Sequence, residues 1–187
     1  MGKKLSEMSL EELWQLFPIV LMEHQIYWKQ WYFDEENVLK KILPLEVQIN
    51  HIGSTSVHSI WAKPIIDILV EIPNKIDFGN INELLIDYGY TCMSQSLNRI
   101  SFNKGYTENG FAERVFHLHL RYIGDNDELY FRDYLNEHPK IAKKYEEIKL
   151  KLWKEYQYNR DEYTNAKTDF ITKCTNEAKK EYGNRYS

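Results

Sequence analysis

The fold of this chain is decided by the stretch His51-Ile52-Gly53-Ser54-Thr55-Ser56-Val57 and by the segment Lys63-Pro64-Ile65-Ile66-Asp67-Ile68-Leu69-Val70-Glu71 that follows it. Together they predict a strand, a Gly-Ser turn, a short irregular segment and a second strand that carries an acid. Glycine permits close approach of the backbone, so such a turn can present its N–H groups to a phosphate. An acid on the neighbouring strand could hold a metal ion beside that phosphate.

Asp67 is the acid in question, and it interrupts an otherwise apolar strand. An ionised carboxylate is rarely buried without a partner, so we expect Asp67 to face a functional site. The structural alternative is a salt bridge to Lys63 or Arg121.

Two histidines, His117 and His119, stand two positions apart in a long predicted strand over residues 111–122. Side chains at this spacing project from the same face of a strand. With Asp67 they could bind one divalent metal ion or act as acid/base groups. A ligand set of nitrogen and carboxylate favours zinc or manganese over magnesium. The alternative is two partly buried histidines that are hydrogen-bonded to their neighbours.

Several basic residues near the predicted strand ends indicate a local anion pocket. Arginine can bind phosphate in a bidentate manner, whereas lysine acts as a point charge. The candidates are Lys63, Arg99, Lys104, Arg114 and Arg121. Lysines in the helical segments 140–154 and 167–180 alternate with glutamates, which predicts solvated faces.

Composition limits the possible partners and location. The net charge is −4 over 187 residues, so the basic signature of a nucleic-acid-binding protein is missing. No apolar run approaches the ~20 residues that span a membrane. The two cysteines are far apart and suit a reducing compartment. These features predict a cytoplasmic protein without a membrane or nucleic-acid partner.

Hydrophobic periodicity predicts a single α+β domain whose C-terminal third is helical. Residues 1–26 are predicted as an N-terminal extension with a short helix, and residues 27–187 as the main domain. Helices are expected at 27–43, 78–88, 128–138, 139–156 and 160–181. Strands are expected at 46–52, 65–72, 91–97, 99–103 and 111–122.

The chain closely resembles the GrpB-like family of the nucleotidyltransferase superfamily from about residue 27 to residue 178. The resemblance is carried by segments 51–55, 62–68, 116–119 and 131–135. It implies a mixed β-sheet flanked by helices and a nucleotide or phosphorylated metabolite as ligand. His51, Gly53, Ser54 and Thr55 would join the basic residues in phosphate or nucleotide binding.

The acidic motif departs from that of active nucleotidyltransferases, in which Asp-x-Asp or Asp-x-Glu follows the Gly-Ser pair. Here Leu69 occupies the second acidic position, and Glu71 lies ~13 Å further along the strand. Paired catalytic metal ions stand only ~4 Å apart, so Glu71 cannot replace the missing acid. One hypothesis is nucleotidyl transfer with a single metal ion (manganese, zinc or magnesium), bound by Asp67, His117 and His119. The second hypothesis is a non-catalytic module that binds a nucleotide or phosphometabolite. The third is a protein-interaction domain that uses the tyrosine-rich surface.

Overall fold

A computed structural model describes residues 3–186, which form a mixed five-stranded sheet with helices on both faces. The strands lie in the order β1-β2-β5-β4-β3. Their bounds are Gln48–Ile52 (β1), Ile66–Ile72 (β2), Thr91–Gln95 (β3), Arg99–Thr107 (β4) and Gly110–Tyr122 (β5). The α-helices are Leu10–Leu16 (α1), Tyr27–Ile42 (α2), Phe78–Asp87 (α3), Asp127–Glu137 (α4), Pro139–Tyr156 (α5), Arg160–Asn165 (α6) and Thr168–Tyr182 (α7).

The centre of the sheet is the parallel pair β2 and β5, which sets Asp67 opposite His117 and Leu69 opposite His119. All other neighbouring strands are antiparallel. Because side chains alternate between the two faces of a strand, the aspartate and both histidines share one face.

The opposite face carries the main hydrophobic core. Ile66, Ile68, Val70 and Ile72 pack there against α2 and α3, with Trp28 among the fully buried side chains. Helices α4 to α7 cover the face that carries Asp67. The predicted α+β architecture, a mixed sheet with a helical C-terminal third, is therefore confirmed.

The prediction of one helix over residues 160–181 is wrong in one respect, because the structure divides this segment into α6 and α7 at Ala166 and Lys167. Lys167 leaves ideal helical geometry with φ −96° and ψ −12°, and its amine lies 4.0 Å from the centre of the Tyr163 ring. The apolar spacing continues across the break, and neither glycine nor proline marks it. The break coincides with the contact between Lys167 and Tyr163, and the apolar spacing does not signal it.

The segment after α1 packs into the core. Phe17, Ile19 and Leu21 are buried, and Met22 forms a β-bridge with Ala62. The Ile19 carbonyl accepts a hydrogen bond of 2.6 Å from the indole of Trp153. Residues 17–22, which belong to the N-terminal extension predicted at residues 1–26, thus pack against the main domain. Among the described residues, no helix combines the length and apolarity needed to cross a bilayer.

Gly53 makes the turn between β1 and the short 3-10 helix Ser54–Ser56. Its φ of 72° and ψ of −173° form a conformation that is essentially restricted to glycine. A Cβ atom at this position would overlap the carboxylate of Asp67, standing 2.8 Å from its Cγ. Gly53 is thus required both for its backbone conformation and for the approach of Asp67.

We expect Gly53→Ala to lower the free energy of unfolding by about 3 kcal/mol, since a strained conformation and a displaced aspartate add together. Gly89→Ala is the matched control, because Gly89 also has a positive φ of 85° but has open space around its Cβ position. The control is expected to cost about 1 kcal/mol. Urea unfolding of both variants measures the difference, and equal losses would show that the contact with Asp67 is unimportant.

Candidate functional site

A cavity of about 580 Å³ lies between the Asp67 face of the sheet and the C-terminal helices. This volume lies within the ~300–1,000 Å³ typical of small-molecule sites. The turn after β1 and the strands β2 and β5 supply one side, and α4, α5, α6 and α7 supply the other. Its polar and aromatic lining includes Gly53, Ser54, Thr55, Lys63, Asp67, His117, His119, Asp127, Glu128, Phe131, Tyr145, Lys149, Arg160, Tyr163 and Lys167.

Hydrogen bonds within the turn at residues 53–56, and from the turn to neighbouring residues, stabilise it. Ser56 donates from its hydroxyl to the Gly53 carbonyl at 2.6 Å, and Thr55 donates to the Ile65 carbonyl at 3.3 Å. His51 points to the opposite side of the sheet, where its ring stacks on Tyr32 at 4.7 Å. Its Nε2 lies 3.0 Å from the Thr55 hydroxyl. The structure therefore places Gly53, Ser54 and Thr55 at the cavity and His51 behind the turn.

Burial sets the charge of His51. It lowers the pKa of this imidazole to about 4, against a partial opposing effect of Asp67. The ring is therefore neutral near neutral pH and supports the turn by packing and hydrogen bonding.

Asp67, His117 and His119 meet at the sheet side of the cavity. Asp67 Oδ1 lies 3.3 Å from His117 Nδ1 and 3.9 Å from His119 Nε2. The two histidines, and neither Lys63 nor Arg121, are thus the near partners of the aspartate. The three side chains retain partial exposure, from 19% for His117 to 27% for His119.

The neighbouring groups shift the ionisation of this cluster. Burial would raise the pKa of Asp67, but hydrogen bonds from His117 and His119 outweigh it and hold the pKa well below its usual range. Burial lowers the pKa of His117, and Asp67 opposes this only in part. Near neutral pH the cluster therefore contains an ionised carboxylate beside a neutral His117.

The predicted metal ligands do not form a metal site as they stand. Within residues 3–186, no group of three or more His, Cys, Asp or Glu side chains is arranged to hold a metal ion. Both ring nitrogens of His117 are already occupied, since Nε2 lies 2.8 Å from the Tyr106 hydroxyl. The donor set matches a manganese or zinc site in residue type but not in arrangement.

Four cationic side chains line the cavity, and three of them come from the C-terminal helices. Lys63 precedes β2, Lys149 lies on α5, Arg160 begins α6 and Lys167 lies between α6 and α7. Lys149 donates to the Trp61 carbonyl and Arg160 to the Phe17 carbonyl. The prediction that these helical lysines are solvated is wrong for Lys149 and Lys167, which are 2% and 9% exposed.

The amines of the cavity are easier to deprotonate than ordinary lysines. Burial, with the nearby charges of Arg160 and Lys167, lowers the pKa of Lys63 to about 7. Burial, with the charge of Lys167, lowers the pKa of Lys149 to about 7. Burial also lowers the pKa of Lys167 to about 8. The cavity therefore disfavours accumulated positive charge when no anion is present.

One feature of the sequence does mark these two lysines as core-facing. Lys149 and Lys167 each follow a buried tyrosine, Tyr145 or Tyr163, by four positions. Residues four apart share one face of a helix, so a lysine at this spacing from a core tyrosine lies at a core-facing position. Arg160 and Tyr106 carry no comparable signal.

Four of the basic residues predicted for an anion pocket lie elsewhere, so the structure does not bring that group together. Arg99 binds Asp125 at 2.7 Å, and Arg114 binds Asp34 at 2.8 Å on the surface. Lys104 faces α2 and pairs with Glu35 at 2.7 Å. Arg121 shares the histidine face but is buried beyond His119, donating to the Leu120 carbonyl at 3.0 Å. Nearby acids neutralise Arg99, Lys104 and Arg114. Backbone carbonyls hold Arg121 in place.

Comparison with known proteins identifies the wider group to which this architecture belongs. A family model described as GrpB protein matches residues 18–177. Glutamate-rich protein GrpB of Alkalihalophilus pseudofirmus is 36% identical over 167 residues, which cover 85% of this chain and 95% of that protein. UPF0157 protein YqkA of Bacillus subtilis is 32% identical over 184 residues; these cover 95% of this chain but 53% of YqkA, so the chain spans about half of that relative.

A solved structure agrees with these sequence relationships. The crystal structure of conserved protein GrpB from Enterococcus faecalis superposes with a TM-score of 0.74 at 31% identity, covering 87% of this chain and 99% of that one. The resemblance predicted from the segments around Gly53, Asp67 and His117 is confirmed, and the chain belongs to the GrpB protein family.

Proposed function

We propose that the chain binds a phosphorylated small molecule of the nucleotide class in the cavity between the sheet and α5–α7. The observation that carries this proposal is a pair of lysines without counter-charges. Among residues 3–186, neither the Lys63 amine nor the Lys167 amine has a hydrogen-bond or ion-pair partner, yet both line the cavity. Lys167 is more than nine-tenths buried.

Electrostatics supports an anionic ligand. An unpaired buried charge is costly, and a phosphate would supply the missing partner. Asp67 is the nearest acid, but the histidines already engage it at 3.3 and 3.9 Å. The Gly53–Ser54 turn adds backbone that can approach a phosphate closely. Positive charge from one wall and backbone from the other would therefore converge on the same group.

The remainder of the cavity suits an apolar or aromatic moiety attached to the phosphate. Tyr145, Tyr163 and Phe131 line it, together with the aliphatic side chains of Leu21 and Ile171. Aromatic and aliphatic walls with a few polar groups are typical of small-molecule sites. A nucleotide or a similar phosphorylated metabolite combines both features.

Nucleotidyl transfer is the second candidate function. It is favoured by the convergence of Asp67 and the two histidines on the cavity that holds the Gly-Ser turn. A single acid and two histidines could handle protons at a reacting phosphate. The binding function has the stronger support. Four cations and three acids line the cavity, and two of those acids, Asp127 and Glu128, pair with Lys179 and Arg121.

Replacement of Lys167 tests the anion site. Lys167→Gln should weaken binding of ATP and of inorganic pyrophosphate about tenfold or more, since a charge-assisted hydrogen bond is lost. The same change should raise the melting temperature of the ligand-free protein, because it removes an unpaired buried charge. Lys173→Gln, at an exposed position of α7, is the matched control and should change neither property. Titration calorimetry and thermal melting measure both effects, and unchanged binding by Lys167→Gln would contradict the proposal.

Anion binding should be accompanied by proton uptake near pH 8. The pKa values of Lys63, Lys149 and Lys167 are lowered to about 7, 7 and 8, so part of their amines are neutral at that pH. A bound phosphate favours the charged amines and raises these pKa values, so protons enter from the solvent. Calorimetry with pyrophosphate in two buffers of different ionisation enthalpy gives the proton number. Proton release, or none exchanged, would contradict an anion seated among the lysines.

Asp67→Asn separates the two candidate functions. In a binding module the variant should bind ATP as well as wild type, or up to about tenfold more tightly, because a negative charge near the phosphate is removed. In a metal-dependent transferase it should lose metal-dependent binding. Calorimetry with ATP and CTP, with and without manganese, distinguishes these outcomes, and Asp87→Asn on the surface is the matched control. No nucleotide heat from wild type under any condition would exclude both functions.

A further inference from the structure

Both ring nitrogens of His117 have fixed partners. Nδ1 faces Asp67 Oδ1 at 3.3 Å, and Nε2 lies 2.8 Å from the Tyr106 hydroxyl. The Tyr106 oxygen also accepts a hydrogen bond of 2.9 Å from Arg160 Nη2. Asp67, His117, Tyr106 and Arg160 therefore form one continuous chain of polar contacts, in which Tyr106 is hydrogen-bonded to both His117 and Arg160.

The direction of this chain follows from its end groups. A guanidinium can only donate, so a lone pair of the Tyr106 oxygen faces Arg160. Burial raises the pKa of Tyr106, with Arg160 opposing, so the hydroxyl keeps its proton and can donate it to His117 Nε2. The proton of the neutral His117 ring is then on Nδ1, which faces Asp67 Oδ1 at 3.3 Å. The opposite tautomer would set a nitrogen lone pair against an ionised carboxylate.

Arg121 fixes the tautomer of His119 as Tyr106 fixes that of His117. Its Nδ1 lies 3.4 Å from Arg121 Nη2, which can only donate. The Nε2 of a neutral ring then carries the proton, and it faces Asp67 Oδ1 at 3.9 Å. Arg121 is itself fixed, because it is buried and donates to the carbonyls of Leu120 and Ile100.

Both imidazoles thus present N–H groups, and not lone pairs, to Asp67. Coordination of a metal ion requires a deprotonated nitrogen. A cation at the Asp67 carboxylate would meet two donor hydrogens, and protonation of either ring would leave those hydrogens in place. The arrangement opposes a metal ion at the position where the residue types would predict one.

Tyr106 reaches His117 because of a bulge in the pairing of β4 with β5. Lys104 pairs with Phe116 and faces α2, and the register with β5 shifts between Lys104 and Tyr106. Gly105, with φ 91°, makes this shift, and a Cβ atom there would overlap the Arg114 carbonyl. From Lys104 to Tyr106 the strand β4 advances by two residues (106 − 104), while β5 advances by five from Phe116 to Phe111 (116 − 111), so the extra residues lie on β5. In a regular strand Tyr106 would share the face of Lys104. The bulge therefore delivers the hydroxyl that sets the His117 tautomer.

We propose that Tyr106 and Arg121 are positioning residues which hold the imidazoles of His117 and His119 with their N–H groups toward Asp67, and so keep this centre free of divalent metal ions. The inference does not rest on the anion site. Phosphate binding tests the anion site and metal binding tests this inference, so either proposal can be contradicted while the other holds.

The first experiment measures the tautomer in the wild-type chain. Long-range ¹H–¹⁵N correlation spectra of protein labelled with ¹⁵N-histidine should give a protonated Nδ1 and an unprotonated Nε2 for His117, and the reverse for His119. His117→Asn and His119→Asn variants assign the two rings. An unprotonated Nδ1 in His117 would overturn the proposal.

The second experiment removes the hydroxyl that fixes His117. Tyr106→Phe should free the ring to exchange tautomers and should strengthen Mn²⁺ binding at least about tenfold over wild type, since one buried hydrogen bond no longer opposes the change. Tyr158→Phe, an exposed tyrosine, is the matched control and should bind Mn²⁺ as wild type does. Titration of Mn²⁺ followed by electron paramagnetic resonance measures the affinity, and circular dichroism confirms folding.

Two results would contradict the proposal here. One is stoichiometric Mn²⁺ binding by wild type that Asp67→Asn abolishes. The other is a folded Tyr106→Phe variant whose His117 tautomer and Mn²⁺ affinity both equal those of wild type. Pyrophosphate binding, measured on the same samples, reports the anion site independently.

Discussion

The parallel pairing of β2 with β5 is the constraint on which the cavity depends. It sets Asp67 beside His117 and Leu69 beside His119, with the aspartate and both histidines on one face. The alternate residues of β2 are fully buried in the core on the other face. Because a slip of one residue would exchange the two faces, burial of Ile66, Ile68 and Val70 fixes the register of the polar cluster.

The cavity departs from the rules that stabilise the rest of the fold. Elsewhere, cations such as Arg99, Lys104 and Arg114 have an acid within hydrogen-bonding distance. At the cavity, Lys63 and Lys167 lack such partners among the described residues, and their charged forms are disfavoured by burial. Local violations of this kind are expected where a sequence serves binding as well as folding.

The sequence was sufficient for the features that depend on short-range periodicity. Alternation within β5 gives the common face of His117 and His119, and the apolar run of β2 shows that Asp67 is exceptional. It was insufficient where the register between two strands shifts or where distant segments meet. The Gly105 bulge separates Lys104 from Tyr106, and no local pattern indicates which acid neutralises Arg99 or Arg114.

The helical wall illustrates the second limit. Lysines that alternate with glutamates along a helix are usually solvated, yet Lys149 and Lys167 are turned inward by the packing of α5 and by the break before α7. Lys149 donates to the Trp61 carbonyl, 88 positions away, and Lys167 packs on Tyr163, four positions before it, at a bend without glycine or proline. The burial of these two lysines therefore depends on packing and on the helix break, which charge patterning along a helix does not reveal.

The break between α6 and α7 also has a consequence for the order in which the molecule matures. Lys63 and Lys167 lie 104 positions apart (167 − 63), so the cationic wall closes only after α6 and α7 have been synthesised and have packed against the sheet. A nascent chain that has formed the sheet but has not docked these helices holds the glycine turn and the aspartate without the opposing amines. Under the proposed binding function, a ligand that contacts both walls would stabilise the folded domain over partly folded chains.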